Sequence, residues 1–166
     1  AEYAIELGHR SFLFIGVTEK DEAVGILRKK GFTDVVAQME GTKLSFIETS
    51  FSRSETYQKA RLFLKENQAT YLACATDNIA VAVLKAAHEL GLRVPEDFSL
   101  SGFGGYDSTD YVFPTITTTH YPYHQLGVDA VETIQKLIQQ VQVPELIKLP
   151  NQLVIKQSTI PIKQIP

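Results

Sequence analysis

Tyr71-Leu72-Ala73-Cys74-Ala75-Thr76-Asp77-Asn78-Ile79-Ala80-Val81-Ala82-Val83-Leu84-Lys85-Ala86-Ala87-His88-Glu89-Leu90-Gly91 reads as one strand followed by one helix. Its first five residues are an unbroken apolar run, as a strand covered on both faces requires. From Asp77 the period changes. Ile79, Ala80, Val83, Leu84 and Ala87 form one apolar stripe, while Asn78, Lys85, His88 and Glu89 occupy the other side. Gly91 stands where a left-handed helix cap belongs.

The same alternation recurs outward from this unit. Ser11–Gly16 and Lys43–Glu48 read as strands before it, and Phe98–Phe103 as a strand after it. Asp21–Lys30 reads as a helix closed by Gly31. Ser52–Asn67 reads as a helix opened by Ser52-Arg53-Ser54-Glu55, which has the spacing of a capping box. Short strands alternating with amphipathic helices predict an α/β fold: a Rossmann-like parallel sheet with helices on both faces. Beyond the fourth strand, Gly104–Pro114 is a loop rich in glycine and aspartate, and Ile116–His120 resumes strand character. Tyr123–Val141 reads as a longer helix. Its apolar residues Leu126, Ala130, Val131, Ile134, Leu137, Ile138 and Val141 make a face wider than a small sheet needs, so part of it is expected to meet structure outside this chain. Leu146–Leu149 and Gln152–Ser158 read as two short strands around Pro150, with Pro161 and Pro166 closing the chain irregularly.

Composition narrows the function classes. The chain has 166 residues, 44% hydrophobic and 21% charged, which suits one buried core. No apolar run is long enough to cross a bilayer, and Val81-Ala82-Val83-Leu84 is followed at once by Lys85. Ala1-Glu2-Tyr3 opens the chain with neither a Met nor a signal-peptide pattern, so it is read as part of something longer. The single Cys74 excludes an internal disulfide and suits a reducing cytoplasm. A net charge of -3 and a pI near 5.8 argue against a nucleic-acid surface on this segment.

The search for catalytic chemistry returns little. There is no Gly-x-Ser-x-Gly elbow and no phosphate loop, and Gly102-Phe103-Gly104-Gly105 lacks the third glycine and the following helix of a dinucleotide site. Cys74 lies in an apolar strand as a core thiol. His120 and His124 are four apart, but Pro122 lies between them and no third ligand is evident, so no metal site is expected. Asp107 and Asp110 are read as turn formers beside Ser108 and Thr109 rather than an acid–base pair. No catalytic residue and no cofactor are expected. What remains is a set of groups at the carboxyl ends of the strands, where open α/β sheets bind ligands: Arg28, Thr76, Asp77, Tyr106, Asp107, Tyr121 and Tyr123. Aromatic faces stack on a pyranose while Arg and Asp hydrogen-bond its hydroxyls, a mixture that suits a sugar better than a phosphate or a lipid. Plainer roles stand beside these: Asp77 as a helix N-cap, Tyr123 as a hydrophobic staple.

Three stretches carry a resemblance: Glu6-Leu7-Gly8-His9-Arg10 running into Phe12-Leu13-Phe14-Ile15-Gly16, Arg28-Lys29-Lys30-Gly31-Phe32, and Gly91-Leu92-Arg93-Val94-Pro95-Glu96-Asp97-Phe98-Ser99-Leu100-Ser101-Gly102-Phe103. With Pro114-Thr115-Ile116-Thr117-Thr118-Thr119 and Leu126-Gly127, they resemble the lactose/galactose repressor family over almost the whole chain, and the residues after Phe103 look closest to repressors of sucrose-type operons. The resemblance implies the carboxyl-terminal lobe of a type I periplasmic-binding-protein-like fold. Residues 11–120 and 146–160 would form that lobe, and 123–141 would be a helix belonging to an amino-terminal lobe. Operator DNA would be bound only through a separate amino-terminal headpiece. The implied function is a cytoplasmic repressor part that senses a sugar or sugar-phosphate effector and forms a homodimer. Arg28 matches the family's inducer-contacting arginine, Thr76 the position just before Asp77, and Tyr123 the aromatic beyond the crossover. Gly104-Gly105 departs from the family's Asp-Asp or Asp-Asn, so Tyr106 or Asp107 is expected to supply the lost contact. The dimer is expected to use Asn78, Val81 and Lys85 with Tyr111, Val112, Phe113 and Pro114, an apolar cluster in an otherwise polar loop. The alternative is that Val112 and Phe113 fold inward as local core. Two other functions stand beside it: a periplasmic sugar-binding protein for transport, which shares the fold, and a small α/β enzyme, against which the missing nucleophile and cofactor motifs argue.

Overall fold

The computed structural model describes residues 1–162; Pro166 lies outside the described residues. Its elements are α1 (Glu2–Glu6), β1 (Ser11–Val17), a π-helical stretch (Glu22–Leu27) continuing into α2 (Arg28–Val36), β2 (Lys43–Thr49), α3 (Arg53–Phe63), β3 (Tyr71–Cys74), α4 (Asp77–Glu89), β4 (Ser99–Gly104), a short 3-10 turn (Asp107–Thr109), β5 (Thr117–His120), α5 (Tyr123–Ile138) and β6 (Gln152–Val154). The six strands form one sheet in the order β2-β1-β3-β4-β5-β6. Five run parallel, and β6 returns antiparallel to β5 with His120 opposite Gln152.

Alternation along β1 explains why helices cover both faces. Phe12 and Phe14 share one face and meet Phe32 of α2, with ring centres 5.9 and 5.5 Å away. On the other face Gly102 of β4 abuts Asp77 of α4, and α3 packs beside α4. Ile15, Leu72, Ile79, Val83, Leu100 and Ile116 are fully buried. Each such side chain contributes about 1.5–3 kcal/mol of transfer free energy. Cys74 belongs to this core, and burial pushes its thiol pKa well up.

Several boundaries differ from the sequence reading. Gly31 does not close a helix: α2 runs through it to Val36, because Phe32 and Val36 extend the apolar face onto the sheet. Gly91 does cap α4, with φ of 72°. The start Asp21 accepts from Val24 N at 2.7 Å, and Gly25 N and Ile26 N both donate to Asp21 O, which opens the first turn into π form. Ser52 accepts from Glu55 N, but the Glu55 carboxylate turns to Ser50 Oγ (2.6 Å) and Lys59, so the capping box is only half made. Leu146–Leu149 forms no strand, and the last strand stops at Val154 rather than Ser158. There the chain leaves the edge and inserts between the start of β4 and the segment that leads into β5. Ser158 N donates to Thr115 O, Leu100 N to Ser158 O, and Ser158 Oγ bonds both Thr117 N (2.9 Å) and Leu100 O (2.5 Å). A buried hydroxyl with both functions satisfied replaces a longer ladder.

Candidate functional site

The carboxyl ends of β1, β3, β4 and β5 open toward the start of α2 and the start of α5. Arg28, the first residue of α2, reaches back over the sheet: one Nη donates to Ala75 O at 2.5 Å and the other to Tyr121 Oη at 2.7 Å. Its guanidinium carbon lies 4.2 Å above the centre of the Phe103 ring, a cation–π stack. Aromatic rings continue from there. Phe103 meets Tyr121 edge-on at 5.3 Å, Tyr121 meets Tyr123 at 5.6 Å, and Tyr123 meets His120 at 5.8 Å. The Tyr123 hydroxyl donates to Gly104 O at 2.7 Å, tying the first turn of α5 to the tip of β4. Burial, then the neighbouring Tyr106 and Tyr121 hydroxyls, pushes the Tyr123 pKa upward.

Of the residues singled out in the sequence, the structure brings Arg28, Tyr121 and Tyr123 together. Tyr106 and Asp107 stand at the exposed rim, Tyr106 with its ring beside Gly104. Thr76 and Asp77 lie inside the lobe instead. Thr76 is the N-cap of α4, accepting from Ile79 N at 3.3 Å, which is the role the sequence offered to Asp77. Asp77 is 0% exposed. Its carboxylate accepts from Thr118 Oγ1 at 2.6 Å and from Tyr106 N at 2.7 Å. Each oxygen thus accepts one hydrogen bond that holds the β4 loop against β5. The Gly-Gly pair makes this geometry accessible: Gly105 has φ of 74°, and a Cβ there would sit 2.4 Å from the His120 ring.

Phe103, which was not singled out, and His120, which was weighed only as a metal ligand, complete the aromatic wall. In β4 the even positions Leu100, Gly102 and Gly104 are buried while Ser101 and Phe103 are less so, and the Phe103 ring faces the side on which Arg28 lies. Below the wall, an open cavity of about 700 Å³ runs along the same face past Ala73 and Ser101 to Tyr3 of α1. Among the described residues no group of three or more His, Cys, Asp or Glu is placed to hold a metal. No helix among them is long and apolar enough to cross a membrane.

The proposed contact surfaces are both at the exterior. Tyr111 and Phe113 are 86% and 88% exposed, while Val112 packs against the core and Pro114 is buried. The inward alternative thus holds for Val112 and fails for Phe113. On α4, Asn78 accepts from Arg53 Nε and Nη2, Lys85 pairs with Glu89 over the Tyr57 ring, and Val81 is half-buried between them.

Comparison with known proteins agrees with this architecture. A family model for the periplasmic binding protein-like domain matches residues 1–159. The chain is 29% identical over 167 residues to the arabinose metabolism transcriptional repressor of Geobacillus stearothermophilus, covering 95% of this chain and 45% of that protein. It is 30% identical over 161 residues to the HTH-type transcriptional repressor PurR of Shigella dysenteriae, covering 94% and 47%. The chain thus spans about half the length of the curated relatives it matches. A crystal structure of a LacI family transcriptional regulator from Enterococcus faecalis with bound ribose superposes with a TM-score of 0.84 at 29% identity, covering 98% of this chain and 59% of that one. This chain belongs to the periplasmic binding protein-like domain family.

Proposed function

We propose that this chain is the effector-sensing and dimer-forming part of a cytoplasmic transcriptional repressor, and that it has no catalytic activity of its own. Its described residues 11–120 and 146–160 are one lobe of a two-lobe sensor, and α5 is the crossing helix whose apolar face meets the other lobe. A sugar or sugar derivative binds between the lobes and changes the affinity of a separate headpiece for operator DNA. The observation that carries this reading is the Arg28–Phe103–Tyr121–Tyr123 cluster, which sits where the parallel strands end and where α5 leaves the sheet. That edge is the ligand-binding edge of open α/β sheets. Arg28, Tyr121 and Tyr123 face the effector, with Tyr106 and Asp107 on the rim, while Thr76 and Asp77 hold the wall from beneath.

A ligand at such a cleft loses much of its buried surface when one wall is absent. The test is a thermal shift of the full-length protein and of this 166-residue chain with ribose, arabinose, lactose and sucrose. At least one sugar raises the midpoint of the full-length protein by several degrees and that of this chain far less, and Arg28→Ala removes the shift without weakening operator binding. Equal shifts in the two proteins, or an undiminished response in Arg28→Ala, would overturn the assignment.

A further inference from the structure

The connection between β4 and β5 carries the exposed Tyr111 and Phe113 rings, yet both of its stems are fastened. Thr109, fully buried, donates from N and from Oγ1 to Tyr106 O, and its carbonyl accepts from Ile116 N at 2.9 Å, which closes the neck of the loop. The rest of the fastening comes from the stretch just after β6. Lys156 Nζ donates to Thr109 Oγ1 at 2.9 Å and to the Asp110 carboxylate at 2.5 Å. Gln157 Oε1 accepts from Thr115 N at 3.2 Å, and Ser158 N donates to Thr115 O. Three consecutive residues thus grip the loop, Lys156 at the stem before the two rings and Gln157 with Ser158 at the stem after them.

Lys156 is itself firmly placed. Its N donates to Oγ1 of the buried Thr117 at 2.9 Å, and its side chain is 14% exposed against 58% for that of Asp110. The ammonium therefore lies beneath the loop, where a cation is kept by the partners it has. Residues 110–116 belong to no helix or strand, so side-chain bonds of this kind fix their path. A contact patch on a loose loop has to be ordered when a partner docks, and that cost is subtracted from the affinity; a patch held in place beforehand avoids it. Resting on the reading of Tyr111 and Phe113 as the contact between two copies of this chain, we infer that Lys156 is the positioning residue of that contact. Through its pair with Asp110 it fixes the loop on which both rings stand, so the tail governs self-association without touching the partner copy.

Sedimentation equilibrium of the full-length protein over a dilution series tests this, beside urea titrations at dilutions where every variant is monomeric. Lys156→Gln weakens the dimer about ten-fold, the scale of ordering a few loop side chains on docking. Lys156→Arg, which keeps a cation within reach of Asp110, restores most of the loss. Asp110→Asn, a change at an exposed carboxylate that leaves the core alone, weakens the dimer as Lys156→Gln does. The double variant is no weaker than either single one, because both remove the same link. A merely structural role for Lys156 would lower the urea midpoint of the monomer and leave the dimer constant where it was. An unchanged dimer constant in Lys156→Gln, or losses that add in the double variant, overturns the inference, while a dimer abolished by Phe113→Asp keeps the contact reading standing. If the protein does not dimerise, or Phe113→Asp leaves the dimer intact, both fall together.

Discussion

His9 shows how one side chain can tie three distant segments. It is 3% exposed, with Nδ1 2.9 Å from Thr70 Oγ1 and Nε2 donating to Ile160 O at 3.0 Å. The ring also meets Tyr71 edge-on at 5.2 Å. It thereby joins the turn after α1, the start of β3 and the returning tail. Burial lowers its pKa below the ordinary 6.5, against a smaller opposing effect of the Ile160 carbonyl. A histidine whose folded pKa is depressed favours the native state while it is neutral. Its contribution is complete above the unfolded value near 6.5 and is lost as the pH falls through the folded value. Urea midpoints measured from about pH 8 down to about pH 5 should therefore fall on the acid side. In His9→Gln the drop should shrink, since the amide does not titrate. An unchanged acid limb in the variant would remove His9 as its cause.

At the scale of elements, α5 behaves unlike the others. Its 16 residues include none that is buried, and Leu126, Val131, Ile134, Leu137 and Ile138 are 52–76% exposed. An isolated helix of this length is marginal in water, so such a face is not kept for its own sake. The residues 146–149 expected to form a strand lie along it, with Ile147 and Leu149 near Leu126, Ala130 and Ile134. They cover one flank and leave Leu137 and Ile138 outside. If that flank meets a second lobe, Ile138→Asp should destabilise the full-length protein by about 2–4 kcal/mol, the scale of placing a charge at an apolar contact. In this chain alone the same change should stay within about 0.5 kcal/mol. Denaturant titrations of both proteins check it, and equal effects would show that α5 is no crossing helix. The α4 helix is the contrast. Thr76 caps it, Gly91 closes it, and its apolar stripe is entirely inside.

For the whole molecule, the exposed Tyr111 and Phe113 rings are the largest departure from an ordinary surface near the β4–β5 connection. Contiguous exposed apolar side chains mark contact surfaces, and a two-fold arrangement is the commonest way to cover one. Light scattering at tens of micromolar should give twice the 18.5 kDa mass of this chain, and Phe113→Asp should return it to the single mass. Val112→Asp serves as the control, because Val112 packs against the core and its loss should lower stability first. A single mass for the unsubstituted chain would place the interface elsewhere.

The sequence by itself determined the fold class, the order of strands and helices from β1 to α5, the core stripe of α4 and the placing of Arg28, Tyr121 and Tyr123 beyond the strands they follow. Those features follow from periodicity and from where short apolar runs stop, which are local properties of the chain. Only the tertiary structure decided which polar groups remain available. Asp77 looked like a ligand-facing carboxylate because it stands at a strand end. It is buried because Thr118 and the Tyr106 amide, 41 and 29 residues away, meet both its oxygens. Phe103 became part of the site because Arg28 crosses the sheet to lie on it. Ser158 left its expected strand because it fills a gap between the start of β4 and the segment that leads into β5. Each outcome depends on a partner distant in sequence, and no local pattern encodes how a buried carboxylate or hydroxyl will satisfy its hydrogen bonds.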